Sequence, residues 1–172
     1  MTLAEIENLV RIGQLKREPS TRAEIDGLIR SGAARLSDAA NPSLSLESRF
    51  DLAYNAAHAL ALVALRRLGY RSENRFLVFQ TLPHTLGVSP VIWRVLAKGH
   101  ETRNLAEYEG TVEIDERLVS DLIDAAKAVQ KALSAVARQL ARARVIVARD
   151  RHRHCSGRQG RTAVRPYNRG LT

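Results

Sequence analysis

This chain lacks most of the features that announce a function. It holds a single cysteine, Cys155, so no disulfide can form within it and a disulfide-built secreted scaffold is excluded. No apolar run approaches the length of a membrane span, and the longest, Ala56 to Leu65, is interrupted by His58. The first residues, Met1-Thr2-Leu3-Ala4-Glu5, lack the basic and apolar regions of a signal peptide. With the lone cysteine, this predicts a cytoplasmic protein with no membrane contact. There is no Gly-rich loop ending in Gly-Lys-Ser/Thr, no dinucleotide fingerprint and no serine elbow, so those nucleotide-binding and hydrolase classes have no support, and no cofactor is expected. No segment alternates convincingly as a strand, and no internal repeat is visible.

What is present starts with length and charge. The 172 residues, with hydrophobic content of 45%, suffice for one packed domain with an extension and exclude global disorder. The net charge of +9 is unevenly spread. From Arg142 to Thr172, nine arginines face one acid, Asp150, so that this segment carries nearly all of the excess and the rest of the chain is close to neutral. Such asymmetry suits a polyanion, through release of condensed counterions, and it equally suits a disordered extension with no binding role.

The periodicity is helical almost throughout. Thr2-x-x-Glu5 and Thr21-x-x-Glu24 offer capping boxes, and Arg17-Glu18-Pro19-Ser20 should break the first helix because proline cannot continue it. Ile25, Leu28, Ile29 and Leu36 mark the face of a second helix, which Asn41-Pro42-Ser43 closes. Ser45 to Leu68 is apolar on nearly every side, with Phe50, Ala53, Tyr54, Ala57, Ala61, Ala64, Leu65 and Leu68 on one stripe, which places it at the centre of a bundle. Phe76, Phe79 and Leu82 predict a shorter helix closed by Pro83 and Gly87. Ser89-Pro90 starts the next, with Gly110 as its stop. Asp115 can cap a last helix on which Leu118, Leu122, Ala125, Ala126, Val129, Leu133, Val136 and Leu140 recur. The expectation is an all-α antiparallel bundle of about five helices, residues 20–150, preceded by an N-terminal helix over 1–19 and followed by a basic, disordered tail over 151–172.

The densest chemistry lies at the end of the penultimate helix. His100, Arg103, Asn104, Glu107 and Tyr108 stand at i, i+3, i+4, i+7 and i+8, the spacing of one helical face. A solvated face is one reading, and a binding or catalytic groove is the other. His58 and Asn55, on the apolar central helix, read as hydrogen-bonded core groups, and Trp93, on the broad face of His100 and Asn104, reads as a packing residue that could also stack a base. His152, His154 and Cys155 have no second cluster to complete a zinc site, so no metal is expected.

Two stretches, Ser48-Arg49-Phe50-Asp51-Leu52-Ala53-Tyr54-Asn55-Ala56-Ala57-His58-Ala59 and Arg103-Asn104-Leu105-Ala106-Glu107-Tyr108, give the chain a resemblance to the HEPN domain, over roughly Thr21 to Val136. It looks most like the small stand-alone bacterial members found beside a nucleotidyltransferase in toxin–antitoxin pairs. The resemblance implies a homodimer that binds RNA or a nucleotide across a shared groove. Active members are metal-independent ribonucleases whose motif is Arg, a polar residue, three variable residues and His. Here Arg103 and Asn104 match the first two, and Tyr108 stands at the histidine position. Tyrosine titrates near 10, so it is a poor base at neutral pH. Binding through Arg103, Asn104, Glu107 and Tyr108 with weak or absent cleavage is therefore expected. The alternatives are an active endoribonuclease that uses Arg103 with His100 or Tyr108, and a structural adaptor without its own ligand.

Overall fold

The computed structural model describes residues 3–109 and 113–156, with side chains described for 5–108 and 113–143. In chain order the elements are α1 (Leu3–Arg11), β1 (Lys16–Arg17), α2 (Arg22–Ala39), α3 (Leu46–Arg67), β2 (Tyr70–Arg71), α4 (Arg75–Gln80), α5 (Leu82–Thr85), α6 (Pro90–Glu109) and α7 (Glu116–Ser156). The fold is an all-α bundle with one very small sheet.

Short polar side chains decide where four helices start. Thr21 Oγ1 accepts from the Glu24 amide at 3.1 Å, Ser45 Oγ from Ser48 at 3.2 Å, Asn74 Oδ1 from Leu77 at 3.2 Å and Asp115 Oδ1 from Leu118 at 2.7 Å. Each satisfies an amide that the helix cannot, a contribution of about 1 kcal/mol. The caps at Thr21 and Asp115 are the ones expected from the sequence. The Thr2 cap falls outside the described residues, as does the Gly110 stop.

α3 is the buried axis. Between Ala53 and Leu65 only Asn55, His58 and Leu62 escape full burial. α2 runs antiparallel to it: Ser20 Oγ donates to the Arg66 carbonyl, and at the opposite end Arg49 Nε donates to the Ala39 carbonyl. α7 runs alongside α3 in the same sense, with Arg49 paired to Glu116 at 2.9 Å and Arg67 reaching the Leu133 carbonyl at 3.4 Å. α6 sits close on α7 because Gly99 has no side chain; a Cβ there would come within 3.0 Å of Leu122 Cδ1.

Several expectations need correction. The first helix ends at Arg11, well before Pro19, because Gly13 takes φ 74° and the amides of Gln14 and Leu15 turn back to the Leu9 carbonyl. The residues that follow form a strand pair that no periodicity announces, with Lys16 opposite Arg71 and Arg17 opposite Tyr70. The predicted helix after Asn74 is two pieces, interrupted at Thr81, whose hydroxyl donates to the Val78 carbonyl. Leu68 is exposed because it caps α3 instead of continuing its stripe. Leu140 is 55% exposed despite its place in the repeat of α7.

Arg66 is the largest omission from the sequence reading. Only 2% exposed, it gives Nε and Nη2 to the Glu24 carboxylate at 2.6 and 3.0 Å. Nη2 also reaches Glu18 Oε1 and the Pro19 carbonyl, and Nη1 reaches the carbonyls of Glu18 and Tyr70. Thus the end of α3 is bound to the segment that enters α2. The hydrogen bond from Arg66 holds the Glu24 carboxyl below its usual range. Tyr70 donates to Glu7 Oε1 at 2.6 Å, and Arg17 also pairs with Glu7, so α1 is fastened to the same corner.

The chain divides into two compact units, Met1–Val136 and Ala137–Thr172; the described part of the second is the helical stretch of α7 through Ser156. The side chains of His152, His154 and Cys155 lie outside the described residues.

Candidate functional site

The site is built from three helices of the first unit. α3 supplies Tyr54, Asn55 and His58, α4 supplies Arg75 and Phe76, and α6 supplies Trp93, His100, Arg103, Asn104 and Glu107.

His100 sits at its centre. Its ring stacks on Tyr54 with centroids 6.1 Å apart at 26°. Nδ1 lies 2.8 Å from the Tyr54 hydroxyl, and Nε2 lies 3.2 Å from Asn104 Nδ2. An amide nitrogen can only donate, so Nε2 accepts, the imidazole proton rests on Nδ1, and the Tyr54 oxygen receives it. The i, i+4 spacing of His100 and Asn104 on α6 makes the second contact possible. Burial pushes the His100 pKa below its usual value, and the neighbouring Arg103 and Arg75 cations push it further in the same direction. His100 is therefore neutral at pH 7. Burial raises the Tyr54 pKa above the ordinary phenol value, so that hydroxyl keeps its proton.

Two guanidinium groups converge on the same ring. Arg103 Cζ lies 5.2 Å from the Tyr54 centroid and Arg75 Cζ 5.9 Å, one arriving from α6 and the other from α4. Contacts of this kind contribute about 0.5–2 kcal/mol each and fix the cations in place. Arg75 also donates to Asn55 Oδ1 at 3.2 Å, and Asn55 in turn donates to the Asp51 carbonyl. Arg103 pairs with Glu107 at 2.5 Å and is 24% exposed. Its Nε is buried and has no hydrogen-bond partner among the described residues. Glu101 and Glu107 act on His100 in the opposite direction to the two arginines, but more weakly. The local field is net positive, as an anion site requires.

The structure thus brings together four of the five residues of the polar stripe. Tyr108 is not with them: it is 86% exposed. An i+8 position has drifted round the helix from i, and Tyr108 lies toward the solvent side of the stripe. His58 also stands outside this network, edge-on to Phe79 at 5.9 Å and 84°, with burial lowering its pKa to about 4. The ring packs as a core histidine does, but it is only partly buried and lacks the expected hydrogen bond among the described residues. Sequence reasoning missed Arg75 and the role of Tyr54. Tyr54 lies on the core stripe of α3 and was counted there, while Arg75 stands on a helix too short to show a face.

Beyond His100 the rings continue. Phe76 lies 5.4 Å from His100 at 32°, and Trp93 lies 5.7 Å from Phe76 at 59°. An open hollow beside the strand pair is lined by Lys16, Arg71, Glu73 and Asn74. Its cations are committed elsewhere, Lys16 to Glu73 at 2.6 Å and Arg71 to Glu18 at 2.9 Å.

No family model, no curated protein and no solved structure matches this chain. Among the described residues no helix is long and apolar enough to cross a membrane, and no group of three His, Cys, Asp or Glu side chains is placed to hold a metal ion.

Proposed function

We propose that this protein is a cytoplasmic HEPN-like binder of RNA or of a nucleotide, and that it takes a phosphate between Arg75 and Arg103. The observation that carries this reading is the convergence of the two guanidiniums on Tyr54, with Arg103 Nε buried and unpartnered. A cation held in place with a donor to spare is costly to keep unless an acceptor arrives, and a guanidinium suits phosphate because its donors form a planar fork. Asn104 holds the His100 ring instead of facing a ligand with its amide. In this reading Glu107 is displaced from Arg103 by the incoming anion. The family resemblance adds two elements to the proposal: two such faces meet in a homodimer, and a nucleotidyltransferase is the partner protein.

The test is fluorescence anisotropy with labelled RNA against wild type, Arg103→Ala and Arg75→Ala. Both variants should bind more weakly while keeping the helical circular dichroism of the parent. RNA affinity unaffected by both substitutions would refute the reading, and absence of RNA binding by the wild type would favour the adaptor alternative.

One observation favours His100 over Tyr108 as the proton-transfer group of the ribonuclease alternative. A neutral imidazole beside two arginines has the protonation state of a general base, whose lone pair on Nε2 is free once Asn104 releases it, whereas Tyr108 stands in solvent. In that case cleavage would be lost in His100→Ala and kept in Tyr108→Phe. Loss in Tyr108→Phe alone would reverse the assignment.

A further inference from the structure

We infer that Phe76 and Trp93 form a stacking platform for an unpaired base, so that the site takes a nucleobase joined to a phosphate and rejects a base-paired duplex. The inference rests on the phosphate reading of Arg75 and Arg103 and adds what that reading leaves open, the chemical form of the ligand.

Four rings lie in a continuous series: Tyr54, His100, Phe76 and Trp93, with centroid steps of 6.1, 5.4 and 5.7 Å. One end of the series carries both guanidiniums, over Tyr54. The other end is Trp93. A ligand whose phosphate lies between the arginines and whose base extends past His100 would meet the partly exposed rings of Phe76 and Trp93. Sequence position holds the two ends together. Phe76 follows Arg75 directly on α4, and Trp93 precedes His100 by seven residues, two turns on the same face of α6.

Tyr54 and Phe79 are fully buried, as aromatic core residues are. Phe76 and Trp93 are not: both keep part of their surface in solvent, and neither belongs to the buried core cluster. Large apolar rings left partly uncovered in one series with a ring that carries two fixed cations, Phe76 following Arg75 directly in the chain, are the composition of a single-strand binding surface, in which bases stack and arginines follow the backbone. Bases in a duplex have both faces occupied by their neighbours. Only an unpaired base can offer its face to Trp93.

An unpaired base with its phosphate can come as a mononucleotide or as a stretch of single-stranded RNA. Trp93 is the only tryptophan of the chain, so its emission reports this one position. The full-length protein would be titrated with adenosine monophosphate, with a short single-stranded oligoadenylate and with an RNA duplex of matched length, recording tryptophan emission alongside anisotropy of the labelled strand. The expected result is emission quenched in parallel with binding for at least one unpaired ligand, weaker binding of the duplex, and an affinity loss of roughly 5- to 100-fold in Trp93→Leu. Trp93→Phe should retain most of the affinity. Quenching by the mononucleotide assigns the site to free nucleotide; quenching by the oligonucleotide alone assigns it to a strand. Single-stranded RNA that binds without changing Trp93 emission, or a duplex that binds more tightly, would overturn the platform while leaving the phosphate reading intact. Absence of binding in every arm would overturn both. If Trp93→Leu fails to fold, the wild-type emission titration still decides.

Discussion

Arg66 and Arg103 are both arginines of long helices and both pair with a glutamate, but their donors are satisfied very differently. Arg66 is completely enclosed, and each of its nitrogens has an acceptor: two carboxylates and three carbonyls surround it. Arg103 is partly open, has one carboxylate partner and leaves Nε without one among the described residues. A saturated guanidinium has nothing left to offer a ligand and serves the fold. An unsaturated one, held by a ring and an ion pair, is available. On the proposed reading of Arg103, the count of unmet donors marks the difference between the two arginines.

The largest effect that would break this comparison belongs to Arg66. Arg66→Ala leaves Glu24 and three carbonyls without their donor and should cost about 3–5 kcal/mol in urea unfolding. A loss below 1 kcal/mol would show that saturation does not mark a structural arginine. The next effect is acid sensitivity. His58 has its pKa lowered to about 4 in the fold, mainly by burial, against about 6.5 in the unfolded chain. The unfolded state therefore binds the proton first, and stability should fall as pH drops from 6.5 to 4, by up to about 3 kcal/mol. His58→Gln should flatten that slope; an unchanged slope would assign it to other groups, of which His100, with its pKa shifted the same way, is the first to examine. Third comes Arg103→Ala. It should lower affinity for a phosphate ligand by about 1.5–3 kcal/mol, with stability changed by less than the Arg66 variant by a clear margin. If Arg103→Ala instead unfolds the protein as Arg66→Ala does, the distinction collapses. The smallest effect is at Tyr108. Standing in solvent, Tyr108→Phe should move both stability and affinity by no more than about 0.5 kcal/mol, and a larger loss of RNA affinity would restore it to the site.

What the sequence made visible follows the range of the interaction. Caps at Thr21 and Asp115 act within one turn, and the burial of α3 follows from its own composition, so both could be read from neighbours in the chain. The stripe on α6 was visible for the same reason: His100, Arg103, Asn104 and Glu107 share a face through local spacing alone. The strand pair was not, because two residues have no period and their partners lie far along the chain. Arg66 at the end of α3 looks like a cation complementing the helix dipole; its acceptors belong to another segment. Arg75 and Tyr54 join the site only because α4 folds back over α3. Leu140 shows the converse, a regular place in the repeat whose side chain is exposed.

The Arg66 cluster has a consequence for time as well as for stability. It connects residues 42 to 48 positions apart in the chain. Closing so long a loop costs entropy that the local helices do not have to meet. Its contacts should therefore be made after the barrier to folding has been crossed, once α2 and α3 have already paired. A substitution at Arg66 would then leave the refolding arm of a chevron nearly unmoved and raise the unfolding arm. On that outcome, the corner where α3 meets the entry to α2 would govern how long the native state lasts once formed, with little influence on how quickly the chain arrives there.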